Sequence, residues 1–487
     1  MDLIQRQRMA QARALAQGDR RSFLMTAAGV GGSALIAPAQ AAGRALEAYA
    51  DATSVRAGDS LGLRARDPEG SSSRDTRYPL QIVRLGWPDQ LMLDTTVNLR
   101  QRPVPADAAT HGCDWPVSYT LRTRTNWPSG LYLARFGSGD KTAEVPFVMR
   151  PERKLASVKI LLQVPFTTIQ AYNAYGGKSL YDYNSSAGQR ASFVALDRPL
   201  DHPYYRGADP WMPVLVRWLA RAGYQVDMCS SINLHGDPRV LDGYQLMLMG
   251  GHDEYWTREM RVAVDDFINR RGNVVVLGGN TCWFQSRLEP ANGRDHRRLI
   301  CYKSRSADPQ RNEALKTVPW IDLATPWPEN TTFGLGSRYG AIWANGFARP
   351  PTSLYALQPE HWAFAGTGLG PLSTFGEDLV GYETDACAFN FGADGLPYAT
   401  GADGTPSNLQ MLAGADATWW GSYAQSLGTE AQSGHAVISF HTRNGAVFNA
   451  GMTDWALGLQ PELDTGVATV ASQITRNVIN RLMVPYS

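Results

Sequence analysis

The period of the hydrophobic pattern changes once along this chain, between Arg150 and Ser157, and that change limits what the chain can fold into. Upstream, short runs alternate apolar and polar residues: "SLGLRAR", "LQIVRLGW", "VSYTLRTRT", "GLYLARF" and "AEVPFVMR". Turn-forming stretches such as "DPEGSSS", "NWPSG" and "GSGDK" separate them. Period-two runs broken about every ten residues predict an antiparallel, Ig-like β-sandwich over residues 42–153. Downstream, "SVKILLQVP", "YQVDMC", "YQLMLMGG" and "NVVVLGGN" are near-continuous apolar strands. Between them, "WMPVLVRWLARAG" and "REMRVAVDDFINRRG" carry apolar residues at helical spacing, the second with Thr257 as N-cap and Gly272 as its stop. Such alternation predicts a doubly wound, flavodoxin-like parallel sheet with right-handed crossovers over residues 154–487.

At 487 residues the chain exceeds one hydrophobic core, which agrees with two domains. Residues 290–465 are rich in Gly, Trp, Pro and Asn and are expected as insertions in the second domain. There "AVISFHTRNGAVFNAG" predicts a hairpin turning near Asn444-Gly445, and "VATVASQITRNVINRLM" predicts a closing amphipathic helix. A net charge of +1 with no basic block interleaved with aromatics gives no footprint for nucleic acid. The five cysteines, Cys113, Cys229, Cys282, Cys301 and Cys387, are scattered, so neither a zinc knuckle nor a dense disulfide framework is expected. Cys282 and Cys301 are near enough in sequence for pairing to be open.

Near the N-terminus, "DRRSFLMTAAGVGGSALIAPAQAA" places Arg20 and Arg21 before an uncharged Gly/Ala-rich run, then an Ala-x-Ala pattern at Ala39 and Ala41. This resembles a twin-arginine (Tat) export signal over residues 1–41 and implies a periplasmic or extracellular protein. The run is short for a spanning helix, and no other segment is long and apolar enough to span, so no membrane span is expected in the mature chain. Tat substrates commonly cross the membrane folded, often with a cofactor aboard.

In an open α/β sheet, ligands collect at the carboxyl ends of strands. Three strands here end in polar sequence: "KILLQVP" leads into "FTTIQAYNAYGGKSLYDY", "YQLMLMGG" into "HDEYW", and "NVVVLGG" into Asn280 and "TCWF". Paired glycines let backbone turn sharply and approach a ligand. Glu254 is the residue most expected to do chemistry, because two glycines, an imidazole and a phenol are a costly way to build a turn. His252 is open between a buried structural role and acid–base work, and Asn280 between turn and site. Asp253 is expected as a solvated charge at the start of a helix, and Tyr255 is left open. On spacing alone Tyr172 and Tyr175 are ordinary core or rim aromatics. Amidotransferases built on this kind of sheet carry a Cys nucleophile at the strand–helix elbow; the matching elbow here is "GGHDEY", with neither Cys nor Ser. Carboxylate, imidazole and phenols remain, a set suited to a hard cation that activates water.

Through "GGHDEYW", "GGN", "AYNAYGG", "VGYETD" and "FNAGMTDWALGL", the chain resembles the large (beta) subunit core of the N,N-dimethylformamidase family over most of residues 110–460. The resemblance implies a class I glutamine amidotransferase-like sheet and a mononuclear non-haem Fe(III) site held by two tyrosinates and a glutamate. Its activity would be hydrolysis of the C–N bond of a small amide or formamide through metal-activated water. Carried over by motif, the metal ligands are Tyr132 in "WPSGLYLARF", Tyr172 in "QAYNAYGG" (with Tyr175 as local competitor) and Glu254. His252 is implied as acid/base, with Asn280 and Glu383 holding water and substrate. With Tyr132 drawn from the sandwich, the iron would staple the two domains. The family pairs a large with a small subunit, so a small accessory subunit or a homo-oligomer is the expected assembly. Two rivals stand beside this: a non-catalytic envelope protein binding carbohydrate or peptide on the same fold, and oxidative use of the same metal.

Overall fold

The computed structural model describes residues 45–200, 211–342, 352–371, 373–377, 379–417 and 434–486. The twin-arginine segment lies outside these residues. Among the described residues no helix is long and apolar enough to cross a membrane.

Strands between Glu47 and Arg150 form two sheets. Glu47–Ala50, Ser60–Arg66 and Tyr119–Arg122 make the smaller. The larger runs in the order Ser54–Arg56, Lys141–Arg150, Gly130–Ser138, Thr76–Arg84, Gln90–Leu99. Inward residues of both sheets, among them Leu61, Leu63, Leu80, Ile82, Tyr132, Phe136 and Phe147, share one core. Gln90–Leu99 is the longest strand that the pattern did not single out, beside the short Glu47–Ala50 and Ser54–Arg56. It is an edge strand whose residues are largely exposed or half-buried, so its alternation is weakly apolar.

The second half is built on a nine-stranded mixed sheet. Its first five strands are parallel, in the order Val226–Ser230, Ile160–Val164, Leu246–His252, Asn273–Gly279, Ala446–Asn449. His435–Thr442, Gln410–Asp416, Leu354–Ala356 and Thr374–Phe375 then extend it antiparallel. The expected parallel strands are therefore present, and the predicted hairpin joins His435–Thr442 to Ala446–Asn449; the Gly/Trp-rich region adds three more antiparallel strands that the pattern did not reveal, completing an antiparallel wing.

The parallel strands read as continuous apolar runs because both faces are covered. Leu246, Leu248, Val275 and Leu277 pack with helices Trp211–Arg221 and Val470–Leu482. Met247, Met249, Val274 and Val276 pack on the other face with helix Arg258–Asn269. Burying each such side chain contributes about 1.5–3 kcal/mol. Thr257 caps that helix, its hydroxyl accepting from the Met260 amide, as the sequence predicts.

From Ile160–Val164 the chain crosses to the edge strand Val226–Ser230, then returns past it to Leu246–His252 on the other side. Connections thus diverge at the carboxyl ends of two adjacent strands, which opens a crevice there. A four-stranded sheet roofs this end: Phe193–Ala195, Arg294–Ile300, Phe284–Ala291 and Tyr255–Thr257.

The paired glycines have a steric reason. Gly251 and Gly278 face each other in register. A Cβ on Gly278 would lie 2.2 Å from the Gly251 carbonyl oxygen, and one on Gly279 2.7 Å from the Glu383 carbonyl oxygen. Gly278→Ala is expected to lose at least about 1–3 kcal/mol through overpacking; a thermal melt matching the wild type would contradict this.

All five cysteines are buried and free, so Cys282 and Cys301 do not pair. Acid sensitivity has an identifiable source on the antiparallel wing. His441 is fully buried, and among the described residues neither ring nitrogen has a hydrogen-bond partner. Burial pushes its pKa down to about 3, with Arg443 adding to the effect, and burial pushes His361 down to about 4. In the unfolded chain both take up a proton near pH 6.5. At these two sites the unfolded state therefore binds more protons below that pH, and their contribution to stability falls from about pH 6.5 toward the folded values. In urea melts, the midpoint at pH 5 relative to that at pH 7 should be higher in His441→Leu than in the wild type; an unchanged pH dependence would contradict this.

Candidate active site

Tyr172 is the last residue of helix Phe166–Tyr172, which begins right after strand Ile160–Val164. The chain then folds back. The buried guanidinium of Arg198 donates to the carbonyls of Gln170, Tyr175 and Lys178, at 3.3, 2.6 and 2.9 Å. The Leu180 amide donates to the Ala171 carbonyl. This returns Tyr181 onto Tyr172, with ring centroids 4.4 Å apart and stacked. Strand Leu246–His252 ends beside them, and Glu254 follows two residues on.

Both phenols converge on one carboxylate. Tyr172 Oη donates to Glu254 Oε2 at 2.7 Å, and Tyr181 Oη lies 2.7 Å from Oε1 and 2.5 Å from Oε2. Glu254 is 3% exposed and Tyr172 5%. On the other side of Glu254, His252 Nε2 is 3.6 Å from Oε2 and 2.7 Å from Glu383 Oε2. Asn280 Nδ2 donates to the same Glu383 oxygen at 2.9 Å and lies 3.4 Å from His252 Nε2. Trp211 and Tyr382 form an aromatic wall next to His252, at 6.3 and 5.5 Å between ring centroids. Asn280, Lys303 and Tyr382 all hold positive φ (47°, 57° and 54°), a conformation that costs energy and concentrates at functional sites.

The charges here are strongly perturbed. Burial raises the pKa of Glu254, and Glu383 pushes the same way, while His252 and Lys303 oppose them. Burial and the neighbouring Glu254 hold both Tyr172 and Tyr181 well above the usual phenol value. Burial alone would lower His252, but Glu383, Glu254 and Asp253 outweigh it and raise it to about 9. Lys303 places its Nζ 3.3 Å from the centroid of the Tyr181 ring. Burial lowers its pKa to about 8, with Glu254 pulling it back up.

The sequence-derived candidates divide. Tyr172, Glu254, His252, Asn280 and Glu383 come together. Tyr132 does not: it is fully buried in the sandwich core, between Trp127 and Phe147, and its hydroxyl donates to the Pro128 carbonyl at 2.7 Å. The second phenol at Glu254 is Tyr181, from the same domain as Tyr172, and not Tyr132 of the sandwich. Tyr175, the competitor of Tyr172, is bound through its hydroxyl to Glu47. Asp253 is not a solvated helix-start charge. It is 2% exposed, and burial raises its pKa to about 7. Tyr255 is a buried packing residue stacked on Phe284. Sequence reasoning missed Tyr181 and Lys303. "KSLYDY" gave Tyr181 no distinguishing spacing, and Lys303 follows strand Arg294–Ile300 of the roof sheet.

Among the described residues no group of three or more His, Cys, Asp or Glu side chains could hold a metal, so any ion here would depend on the phenolic oxygens. Two phenols and a carboxylate meeting at one buried point form an all-oxygen donor set that suits a hard, highly charged cation. Against known proteins, residues 79–468 match the family described as N,N-dimethylformamidase beta subunit-like, C-terminal. No curated protein matches the chain. Among solved structures, a cycloisomaltooligosaccharide glucanotransferase of Paenibacillus sp., complexed with cycloisomaltoheptaose, aligns at 9% identity and a TM-score of 0.18. That alignment covers 48% of this chain and only 38% of the other, and so slight a likeness carries no argument.

Proposed function

The chain belongs to the N,N-dimethylformamidase beta subunit-like family, and on that premise we propose that it hydrolyses the C–N bond of a small amide or formamide. The observation that carries the proposal is the convergence of Tyr172 and Tyr181 on Glu254, with the His252–Glu383 pair alongside. We further propose that Tyr172, Tyr181 and Glu254 hold a mononuclear ferric ion. Two phenolates and a carboxylate carry three negative charges, which match a trivalent hard ion, whereas zinc more often takes Cys or His. When bound, such an ion supplies Lewis-acid polarisation to an amide carbonyl and to water.

The chain's own residues provide the proton transfers. Glu383 accepts a proton from the attacking water, whose oxygen bonds to the carbonyl carbon. His252 gives its Nε2 proton to the amide nitrogen as the C–N bond breaks, and the proton on Glu383 restores it. Water and amide thus become acid and amine, with the enzyme unchanged. Asn280 donates to Glu383 and keeps that carboxylate oriented. Trp211 and Tyr382, 5.5 Å apart between centroids, offer an apolar wall suited to small N-alkyl groups. Taken with the family, the diverging connections at the sheet crevice support an amidotransferase-like scaffold. We also propose twin-arginine export and assembly with another subunit. Five buried, unpaired thiols support folding before export, and the family description "beta subunit-like" supports assembly.

A panel of small amides, N,N-dimethylformamide among them, tests the proposal by release of acid and amine. His252→Ala should lower kcat by about 10²–10⁴-fold, the usual worth of a positioned acid or base. Tyr181→Phe should abolish turnover. Tyr132→Phe should retain it, losing only a hydrogen bond of about 1 kcal/mol. Turnover that survives Tyr181→Phe but not Tyr132→Phe would overturn the assignment.

A further inference from the structure

Behind Asn280, on the side away from Glu383, lies a buried pair that no step above uses. Asp385 Oδ1 accepts the backbone N–H of Asn280 at 3.0 Å, and Oδ2 accepts that of Thr281 at 3.3 Å. Ser337 Oγ lies 2.6 Å from Asn280 Oδ1 and 2.8 Å from Asp385 Oδ1. Asp385 is fully buried and Ser337 is 5% exposed. The stretch Glu383–Thr384–Asp385 therefore reaches Asn280 twice. Glu383 meets its amide from the front, and Asp385 clamps its backbone from behind. Thr384 fixes the stretch, its N–H donating to the Ala341 carbonyl and its hydroxyl to that of His435.

From this geometry we infer that Ser337 and Asp385 are positioning residues that fix which end of the Asn280 amide faces Glu383. A side-chain amide has two orientations that differ only in where oxygen and nitrogen point. With its oxygen accepting from Ser337, the amide must present Nδ2 to Glu383. Reversed, it would set Oδ1 2.9 Å from the Glu383 carboxylate, acceptor against acceptor. Asn280 is also held at φ +47°, which most side chains resist, so its backbone needs the two N–H bonds to Asp385 to stay in place. A hydroxyl has one proton, and Ser337 faces two acceptors. A proton on Asp385, whose carboxyl burial pushes up to about 6, lets all three groups be satisfied at once.

The inference rests on the proposed amide hydrolysis for its kinetic test and has a second test independent of it. Ser337→Ala should lower kcat about tenfold or more with little change in KM, as for outer partners that orient a site. In an Asn280→Ala background the same change should cost nothing further, because it acts only through Asn280. Ser337→Thr, which keeps the hydroxyl, should recover most of the rate, and Asp385→Asn should resemble Ser337→Ala. Full activity in Ser337→Ala, or losses that simply add to those of Asn280→Ala, would overturn the inference. Should the wild type turn over no amide, the hydrolase proposal fails and NMR decides. In ¹⁵N-asparagine-labelled protein, the Asn280 side-chain amide resonances should shift strongly on Ser337→Ala or Asp385→Asn. Resonances unmoved in both variants would refute the positioning role.

Discussion

A carboxylate buried at the end of a parallel strand is the constraint on which this structure depends. An uncompensated carboxylate in such a place costs several kcal/mol, so Glu254 demands partners. Tyr172 and Tyr181 provide them, and they explain much of the surrounding architecture. The short helix after Ile160–Val164 exists to deliver Tyr172, and the fold-back held by Arg198 delivers Tyr181. The sheet that roofs the crevice pins Tyr255–Thr257 directly beyond Glu254.

Three neighbours set the charge around this buried acceptor. His252 and Lys303 bring positive charge to its edge, and Glu383 ties His252 in place from a segment more than a hundred residues downstream. The glycine pairs make the convergence sterically feasible, since the strand ends approach closer than any Cβ would permit. Function and fold thus meet in the same short sequences. The residues that let strands end tightly also decide how near the imidazole, amide and carboxylates come.

Much of this was legible in the sequence because it is local. Continuous apolar runs marked the parallel strands, helical spacing marked the covering helices, and "GGHDEYW" marked the corner. Glu254 stood out because its neighbours made a purely structural role expensive, and His252 was marked by the family resemblance of the same motif. What the sequence hid was long-range. Tyr132 and Tyr181 are both tyrosines amid apolar and polar neighbours, and only the packing separates a core phenol bound to Pro128 from one bound to Glu254. Asp253 looked like a solvated charge at a helix start, but strand Tyr255–Thr257 stands between it and helix Arg258–Asn269, and its side chain is buried. Beyond the predicted hairpin strand His435–Thr442, the antiparallel wing was obscured by short strands divided by Gly- and Pro-rich connections.

The most direct test of the central claim is the iron content and visible spectrum of the purified protein. Ferric ion held by tyrosinates absorbs visible light by charge transfer. Iron is expected in equimolar amount with such a band, lost in Tyr172→Phe/Tyr181→Phe and kept in Tyr132→Phe. A colourless, iron-free protein after reconstitution, or a band that survives loss of both Tyr172 and Tyr181, would contradict it.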